Sequence, residues 1–340
     1  MSAHFLDGSE PGVEGLRELV QRALALEGGA APRRVPGKRI VAVFLNPSLR
    51  TRTSLEAAGH MLGVKVITLS PGTDAWALEF GDGAVMDGLT VEHVKDAVSV
   101  LSGYGHLLAV RAFAGLTDPE EDRADPVLNA FVQHSRAPVL NLESARWHPL
   151  QGIADATSWT RHLGTHLQGQ KLTLTWAPHP KALPTAVPNQ VLLTAAMMGM
   201  DVTVAHPEGF DLDPQVVHRA ADLAGHQGGA VHVTHDRQAA LKGARVVVAK
   251  SWGGWSGYGR REEEARVRAG LSDWMVTEAD LFHTRDAGFM HCLPIRRNVV
   301  ATDGVLDGPS SWAHETAHRR MWTAASVLER MLGEESPWSA

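Results

Sequence analysis

An α/β fold, with two doubly wound parallel-sheet domains bridged by helices, is predicted by three features of the sequence. Short β-branched apolar runs alternate with segments of helical periodicity, the pattern of βαβ crossovers and hence of parallel sheets. The alternation pauses near residue 150 and begins afresh near residue 171. Histidine, cationic and carboxylate residues recur just after the apolar runs, where the carboxyl ends of parallel strands gather. A chain of 340 residues has room for two hydrophobic cores.

The elements follow in order. Residues 13–26 are amphipathic (Val13, Leu16, Leu19, Val20, Ala23, Leu24), and Gly28-Gly29 ends that helix. A basic link leads to a strand over 40–45, a helix over 52–62 closed by Gly63, and a strand over 64–69. Residues 70–88, rich in Gly and Asp and carrying Trp76, form a loop too long to be idle. A helix is expected over 90–101, then a strand over 106–110 ending at Arg111. Residues 118–125 read as a solvated acidic turn, 127–134 as a helix, and 138–142 as a strand ending at Glu143. A helix over 153–163 connects the halves; a strand over 171–176, a proline-punctuated loop over 177–189 and a helix through Met198 follow. Further buried strands are expected at 202–205, 231–234, 246–249 and 288–291, with a long closing helix over 311–332. The first domain is thus residues 1–150, with the closing helix packing back on it, and the second is 151–310.

Composition narrows the function. With 44% hydrophobic and 21% charged residues the chain reads as an ordinary soluble protein. A net charge of -6 gives no general attraction to nucleic acid, so clustered arginines need a local explanation. The single cysteine, Cys292, allows no intrachain disulfide. The opening Met1-Ser-Ala-His-Phe5 lacks the basic and apolar regions of a signal peptide, and no apolar run is long enough to span a bilayer. The expectation is a cytoplasmic protein without nucleic-acid or membrane partners. No G-x-G-x-x-G follows a strand and no metal-ligand spacing occurs, so neither a dinucleotide nor a metal cofactor is expected.

The strongest local signal is Ser48-Leu-Arg-Thr-Arg52 between a strand and a helix. Backbone N–H groups at a helix N-terminus, two hydroxyls and two guanidiniums suit the acceptor oxygens of a phosphate. A lone Arg-Thr-Arg is usually a solvated turn; the strand before and the helix after favour the anion site. Other candidates have dull alternatives when taken singly. His148 before a proline can be a satisfied loop histidine, Lys250 a solvated strand end, Trp76 a pin for its own loop, and Cys292 a core residue. Their recurrence along one edge of both sheets favours a site.

These residues also carry a family resemblance. Ser48-Leu-Arg-Thr-Arg52 resembles the carbamoyl-phosphate signature of the aspartate/ornithine carbamoyltransferases, His148-Pro-Leu-Gln151 their His-Pro-x-Gln motif, and His291-Cys-Leu-Pro294 the His-Cys-Leu-Pro of their ornithine-type members. The resemblance implies a carbamoyl-phosphate domain and an amino-acid domain bridged by two helices, and a homotrimer with shared active sites. It implies that Ser48, Leu49, Arg50 and Thr51 hold phosphate, that Arg111 and His148 polarise the carbonyl, and that Gln151 and the Leu293 carbonyl grip the carbamoyl NH2. Arg296 and Arg319 are further candidates for the phosphate end, and Trp76 would reach into a neighbouring subunit's site. Glu143 would receive the backbone nitrogen of the amino acid, Asn189 and Lys250 its carboxylate or acyl group, and Cys292 would sit near the δ-amine.

The branch follows from departures. Aspartate enzymes have proline where Cys292 stands, and the Ser-Met-Gly loop of ordinary ornithine enzymes is replaced by Lys250-Ser-Trp-Gly-Gly-Trp-Ser-Gly-Tyr-Gly259. Asp74-Ala-Trp76, Val85-Met-Asp-Gly88, Thr175-Trp-Ala-Pro-His-Pro-Lys181, Ala186-Val-Pro-Asn189 and Ala249-Lys-Ser-Trp252 look like the N-acylornithine transcarbamylases of arginine synthesis. Acetylornithine members have a glutamate where Val91 stands, and a glutamate would repel a succinyl carboxylate. Val91 therefore points to N-succinylornithine, and Trp176-Ala-Pro-His-Pro-Lys181, His206-Pro-Glu-Gly209 and Phe289-Met-His291 also look more like the succinyl branch, whereas Asn46-Pro-Ser48 and Glu79-Phe80 look more like the acetyl branch. Val91 can alternatively be an ordinary helix position facing the core. The alternatives are N-acetylornithine transfer, ordinary ornithine transfer, and a phosphate-ligand binding protein without turnover, which would not require Arg111, His148 and Gln151 together.

Overall fold

From the N-terminus the chain forms α1 (Gly12–Glu27), β1 (Arg39–Phe44), α2 (Arg50–Leu62), β2 (Lys65–Leu69), β3 (Leu78–Glu79), β4 (Glu92–His93), α3 (Val94–Tyr104) and β5 (Leu107–Arg111). Then come α4 (Pro119–Ala124), α5 (Pro126–His134), β6 (Val139–Glu143), α6 (Pro149–Leu163), β7 (Lys171–Trp176), α7 (Ala186–Met197), β8 (Asp201–Ala205) and α8 (Pro214–His226). The chain continues with β9 (Ala230–Thr234), α9 (Arg237–Leu241), β10 (Val246–Lys250), α10 (Arg261–Ala269), α11 (Glu278–Phe282), β11 (Gly288–Met290), α12 (Asp303–Asp307) and α13 (Ala313–Gly333). The computed structural model describes residues 4–333 and 337–338. One unit comprises Met1–Ala114, Glu120–Leu150 and Arg320–Ala340; the other comprises Gly115–Pro119 and Gln151–Arg319.

The first unit holds a parallel sheet in the order β2-β1-β5-β6. Val41, Val43, Leu108, Val110 and Val139 of the sheet pack against Val94 and Val98 of α3 and Leu128 and Phe131 of α5. The second unit holds a parallel sheet in the order β11-β10-β7-β8-β9. Strands buried on both faces read as continuous apolar runs, which is why they were legible. Each sheet reverses its winding between two neighbouring strands, β1 and β5 in one and β7 and β10 in the other. Ligand crevices of open parallel sheets form at the carboxyl ends of such a pair. The registers put Phe44 opposite Arg111 at one reversal and Lys250 opposite Trp176 at the other.

Four expectations change. The helix expected from residue 90 begins at Val94: residues 92–93 pair in parallel with Leu78–Glu79, the Thr90 hydroxyl donates to Glu79 at 3.2 Å, and the His93 ring caps the helix by accepting from Lys95 N. Tertiary pairing overrides the helical spacing, and Val91, 61% exposed, is not a core-facing helix position. The helix after the anion turn starts two residues early, at Arg50. The acidic turn over 118–125 is largely helix α4, and its Asp122 and Asp125 are buried rather than solvated. Asn189 belongs to α7, not to the loop before it. Among the described residues no helix is long and apolar enough to cross a membrane.

Candidate active site

In the first unit the site grows from the turn between β1 and α2. Ser48 Oγ accepts from Thr51 N at 3.1 Å, a cap that shapes the turn without ligand. Leu49 is 73% exposed, so its side chain is not what the turn is built to bury. Arg52 turns away: its guanidinium lies 5.6 Å from the Phe44 ring centroid and 3.8 and 4.0 Å from Glu56 and Asp74. The cation reaching the turn from elsewhere in the unit is Arg320 of α13, whose Nη2 donates to Thr51 Oγ1 at 3.0 Å. Arg319, the expected phosphate ligand, belongs to the second unit and donates to Ser158 Oγ at 3.2 Å and to Glu315 at 3.3 Å. Consecutive helical residues point about 100° apart, so Arg319 and Arg320 engage different partners, and Arg320 is a contact of the turn that the sequence did not single out.

Beside the turn, β5 and β6 end in Arg111 and Glu143, which the register pairs. Both are buried, and an Arg111 Nη1 donates to Glu143 Oε2. His148 Nε2 lies 3.2 Å from that same oxygen. Arg111 is further held by the face of Phe113, 4.4 Å to the centroid, whose N–H donates to Asn46 Oδ1 at 2.6 Å. A buried guanidinium held on several sides loses no motion when a developing negative charge arrives, which is what oxyanion stabilisation requires. Glu143, expected at the substrate's nitrogen, also organises the two groups expected at the carbonyl. That partnership was not evident from the sequence.

In the second unit Lys250 ends β10, half-buried. Arg296 Nε donates to His179 Nε2 at 3.1 Å, so that nitrogen carries no proton, while Nδ1 lies 2.8 Å from the Lys181 carbonyl and 3.1 Å from the Lys181 N. Burial first, then the charges of Arg296, Lys250 and Arg268, holds the His179 imidazole below its usual pKa. The sequence marked His179 only as part of the Trp176–Lys181 resemblance and gave it no role of its own. Asn189 is fully buried, its amide donating to Thr185 Oγ1 at 3.3 Å. Gln151 donates to Asp155 at 3.0 Å. Leu293 has a left-handed φ of 53° and donates its N–H to His291 Nδ1 at 2.9 Å; Cys292, expected in a strand, is half-buried just past β11.

The segment after Lys250 is clamped from α10. Arg268, 4% exposed, donates to Ser251 Oγ at 3.0 Å, to the Trp252 carbonyl at 2.6 Å and to Glu264 at 2.5 Å. Glu264 accepts from Gly254 N at 3.1 Å, and a Cβ on Gly257 would stand 2.6 Å from its carboxyl carbon. The guanidinium also lies over Trp176 and Phe210, 5.4 and 5.1 Å from their centroids. In the first unit Trp76, Val85, Leu89 and Val91 are all exposed, at 70, 80, 102 and 61%.

Comparison with known proteins gives a consistent result. Residues 3–161 match the carbamoyl-P binding domain of aspartate/ornithine carbamoyltransferase and residues 184–331 match its Asp/Orn binding domain. The chain is 40% identical to the N-acetylornithine carbamoyltransferase of Xanthomonas campestris pv. campestris over 336 residues, 98% of this chain and 99% of that one. It is 36% identical to the N-succinylornithine carbamoyltransferase of Bacteroides fragilis over 295 residues, 87% of each. Its fold is similar, with a TM-score of 0.93 and 41% identity covering 96% of this chain and 98% of the other, to an N-acetyl-L-ornithine transcarbamylase in which one glutamate is replaced by valine, complexed with carbamyl phosphate and N-succinyl-L-norvaline.

Proposed function

The chain belongs to the aspartate/ornithine carbamoyltransferase family as a carbamoyltransferase acting on an N-acylornithine, and we propose that its substrate is N-succinyl-L-ornithine. The observation carrying this choice is Val91: by resemblance a glutamate stands there in acetylornithine members, and here the position is apolar and exposed. A carboxylate there would repel the succinyl carboxylate; valine does not. In N-acetyl-L-ornithine transcarbamylases complexed with N-succinyl-L-norvaline one glutamate is replaced by valine, alanine, proline or serine, so loss of a glutamate carboxylate is what those complexes share. Lys250 and the neutral His179 beside Arg296 give the second unit a cationic group suited to a carboxylate-bearing acyl chain. The higher identity to the acetyl relative favours N-acetylornithine as the second reading, but identity over the whole chain is dominated by residues remote from the acyl group.

The proposed reaction is attack of the δ-amine on the carbonyl of carbamoyl phosphate. The C–N bond forms, a tetrahedral intermediate collapses, the C–O bond to phosphate breaks, and the departing phosphate takes the amine proton. Ser48, the backbone of Leu49, Arg50, Thr51 and Arg320 hold the phosphate, with Arg296 and Arg319 as further candidates for that end. Arg111 and His148 stabilise the oxyanion, and the Gln151 amide and the Leu293 carbonyl are the partners proposed for the carbamoyl NH2. Glu143 takes the acylated nitrogen, while Asn189 and Lys250 take the carboxylates and Cys292 stands near the δ-amine. Positioning and charge stabilisation supply the rate. The exposed Trp76, Val85 and Leu89 support the homotrimer, in which Trp76 would serve a neighbouring subunit's site.

The test is citrulline-product formation from carbamoyl phosphate with N-succinyl-, N-acetyl- and free L-ornithine, in wild type and Val91→Glu. The succinyl compound should be preferred, and Val91→Glu should shift preference towards acetyl by ~10-fold or more, the scale of one charge–charge clash in a partly desolvated site. Preference of the wild type for N-acetylornithine would overturn the succinyl assignment and leave the transferase intact.

A further inference from the structure

Asp125 lies between α4 and α5, far from every motif that marks the site, and three observations single it out. It has a left-handed φ of 49°, a conformation uncommon for non-glycine residues though less so for aspartate, and it fixes the direction in which the side chain leaves the chain. It is buried, at 7% exposure. Its carboxylate turns towards one short segment, residues 144–147: Ser144 Oγ donates to its Oδ2, and the backbone N–H groups of Ala145 and Arg146 point to it as well.

That segment is the turn separating Glu143 from His148. Ser144 N donates to the Trp147 carbonyl at 2.9 Å, closing it, and Ser144 Oγ accepts from Arg146 N at 3.3 Å and Trp147 N at 3.2 Å. Ser144 is thus the hub of the turn, and Asp125 is what its hydroxyl proton points to. Arg146, the turn's one permanently charged side chain, also faces Asp125 and donates to the Arg123 carbonyl of α4 at 3.1 Å. The charged neighbours on the Asp125 side are Asp122 and Arg123. On either side of the turn stand the carboxylate and imidazole that meet at 3.2 Å.

We infer that Asp125 is a positioning residue for the reaction: it bolts the turn over residues 144–147 and thereby sets the spacing of Glu143 and His148 beside Arg111. The inference rests on the carbamoyl-transfer reading of that group. A plain structural role would need only a filled volume. Convergence of a left-handed backbone, a buried carboxylate and three donors from a single turn specifies the turn's shape.

The experiment compares wild type, Asp125→Ala and Asp125→Asn for kcat, for KM with both substrates, for affinity for inorganic phosphate and for the titration of the His148 ring by NMR, assigned with His148→Gln. Asp125→Ala should lose ~10–100-fold in kcat, the cost of a misplacement of about 1 Å in reacting groups. Asp125→Asn, which keeps one acceptor oxygen for Ser144, should lose less. Phosphate affinity should stay within ~2-fold, because the Ser48 turn is held separately, and the His148 midpoint should move in both variants. Wild-type kcat and an unmoved His148 titration in a folded Asp125→Asn would overturn the inference, and this variant decides if Asp125→Ala does not fold. Absence of wild-type turnover would overturn the transferase reading instead, while the His148 titration would still judge Asp125.

Discussion

The carboxyl edges of the two sheets are built differently. In the first unit the chemistry-bearing groups are strand ends and the residues just beyond them: Arg111 and Glu143 are 6% and 9% exposed, and His148 is 3% exposed. In the second unit Lys250 ends a strand while His179 and Arg296 stand on loops; Lys250 and His179 are half-buried and Arg296 is exposed. The first edge has its charges fixed before any ligand arrives, as stabilisation of a developing oxyanion demands. The second keeps its cations nearer water, where a carboxylate's arrival changes their surroundings more. On the proposed roles, oxyanion stabilisation falls to the buried strand ends, and choice of the acyl group to exposed residues such as Val91.

The exception is the Glu264–Arg268 clamp, which makes part of the second edge as rigid as the first. Burial pulls the Arg268 pKa down, opposed by the Glu264 carboxylate. Arg268→Met strands Glu264 as a buried charge and should cost about 3–5 kcal/mol, read as a fall in urea midpoint. Adding Glu264→Leu should recover much of that loss. If Arg268→Met is as stable as wild type, the second edge is adaptable throughout and the exception disappears.

The next prediction tests the first edge. His148→Ala should lower kcat by about 10²–10³, the usual cost of one oxyanion donor, with inorganic phosphate binding nearly unchanged. Loss of phosphate binding to the same degree would mean that the histidine serves the ground state and that the two edges do not divide the work in this way.

Legibility followed the same division. The strands of both sheets, the Ser48 turn and the strand ends Arg111 and Glu143 could be read because local pattern and local function coincide there. Arg320, Asp125, Arg268 and the pairing of His179 with Arg296 could not, because each joins segments distant in sequence, and one chain carries no signal for which helical or loop arginine arrives. The helix expected from residue 90 failed for the same reason: its first residues are claimed by a strand at residues 78–79, and spacing alone cannot register that competition. Val91 stood out only through the resemblance, and its exposure came only with the fold.

Fixed charge at the first edge should also leave a mark on stability. Burial raises the Asp125 pKa from 3.8 to about 6, with the Ser144 hydroxyl and the Ala145 N–H opposing the shift. The folded chain therefore holds this proton more tightly than the unfolded one. The stability contributed by the protonated group is complete below the unfolded value of 3.8 and is lost as pH rises through about 6. A shift of about two units corresponds to at most about 3 kcal/mol. The unfolding free energy of wild type minus that of Asp125→Asn, followed by urea titration, should thus fall by up to ~3 kcal/mol between about pH 4 and pH 7. A difference that is flat or rises with pH would mean that water reaches the carboxylate and that the first edge is less rigidly held than its geometry indicates. A fall of the expected sign would mean that the fold keeps a costly ionised carboxylate at neutral pH beneath the turn between Glu143 and His148, where a residue retained for stability alone would be apolar.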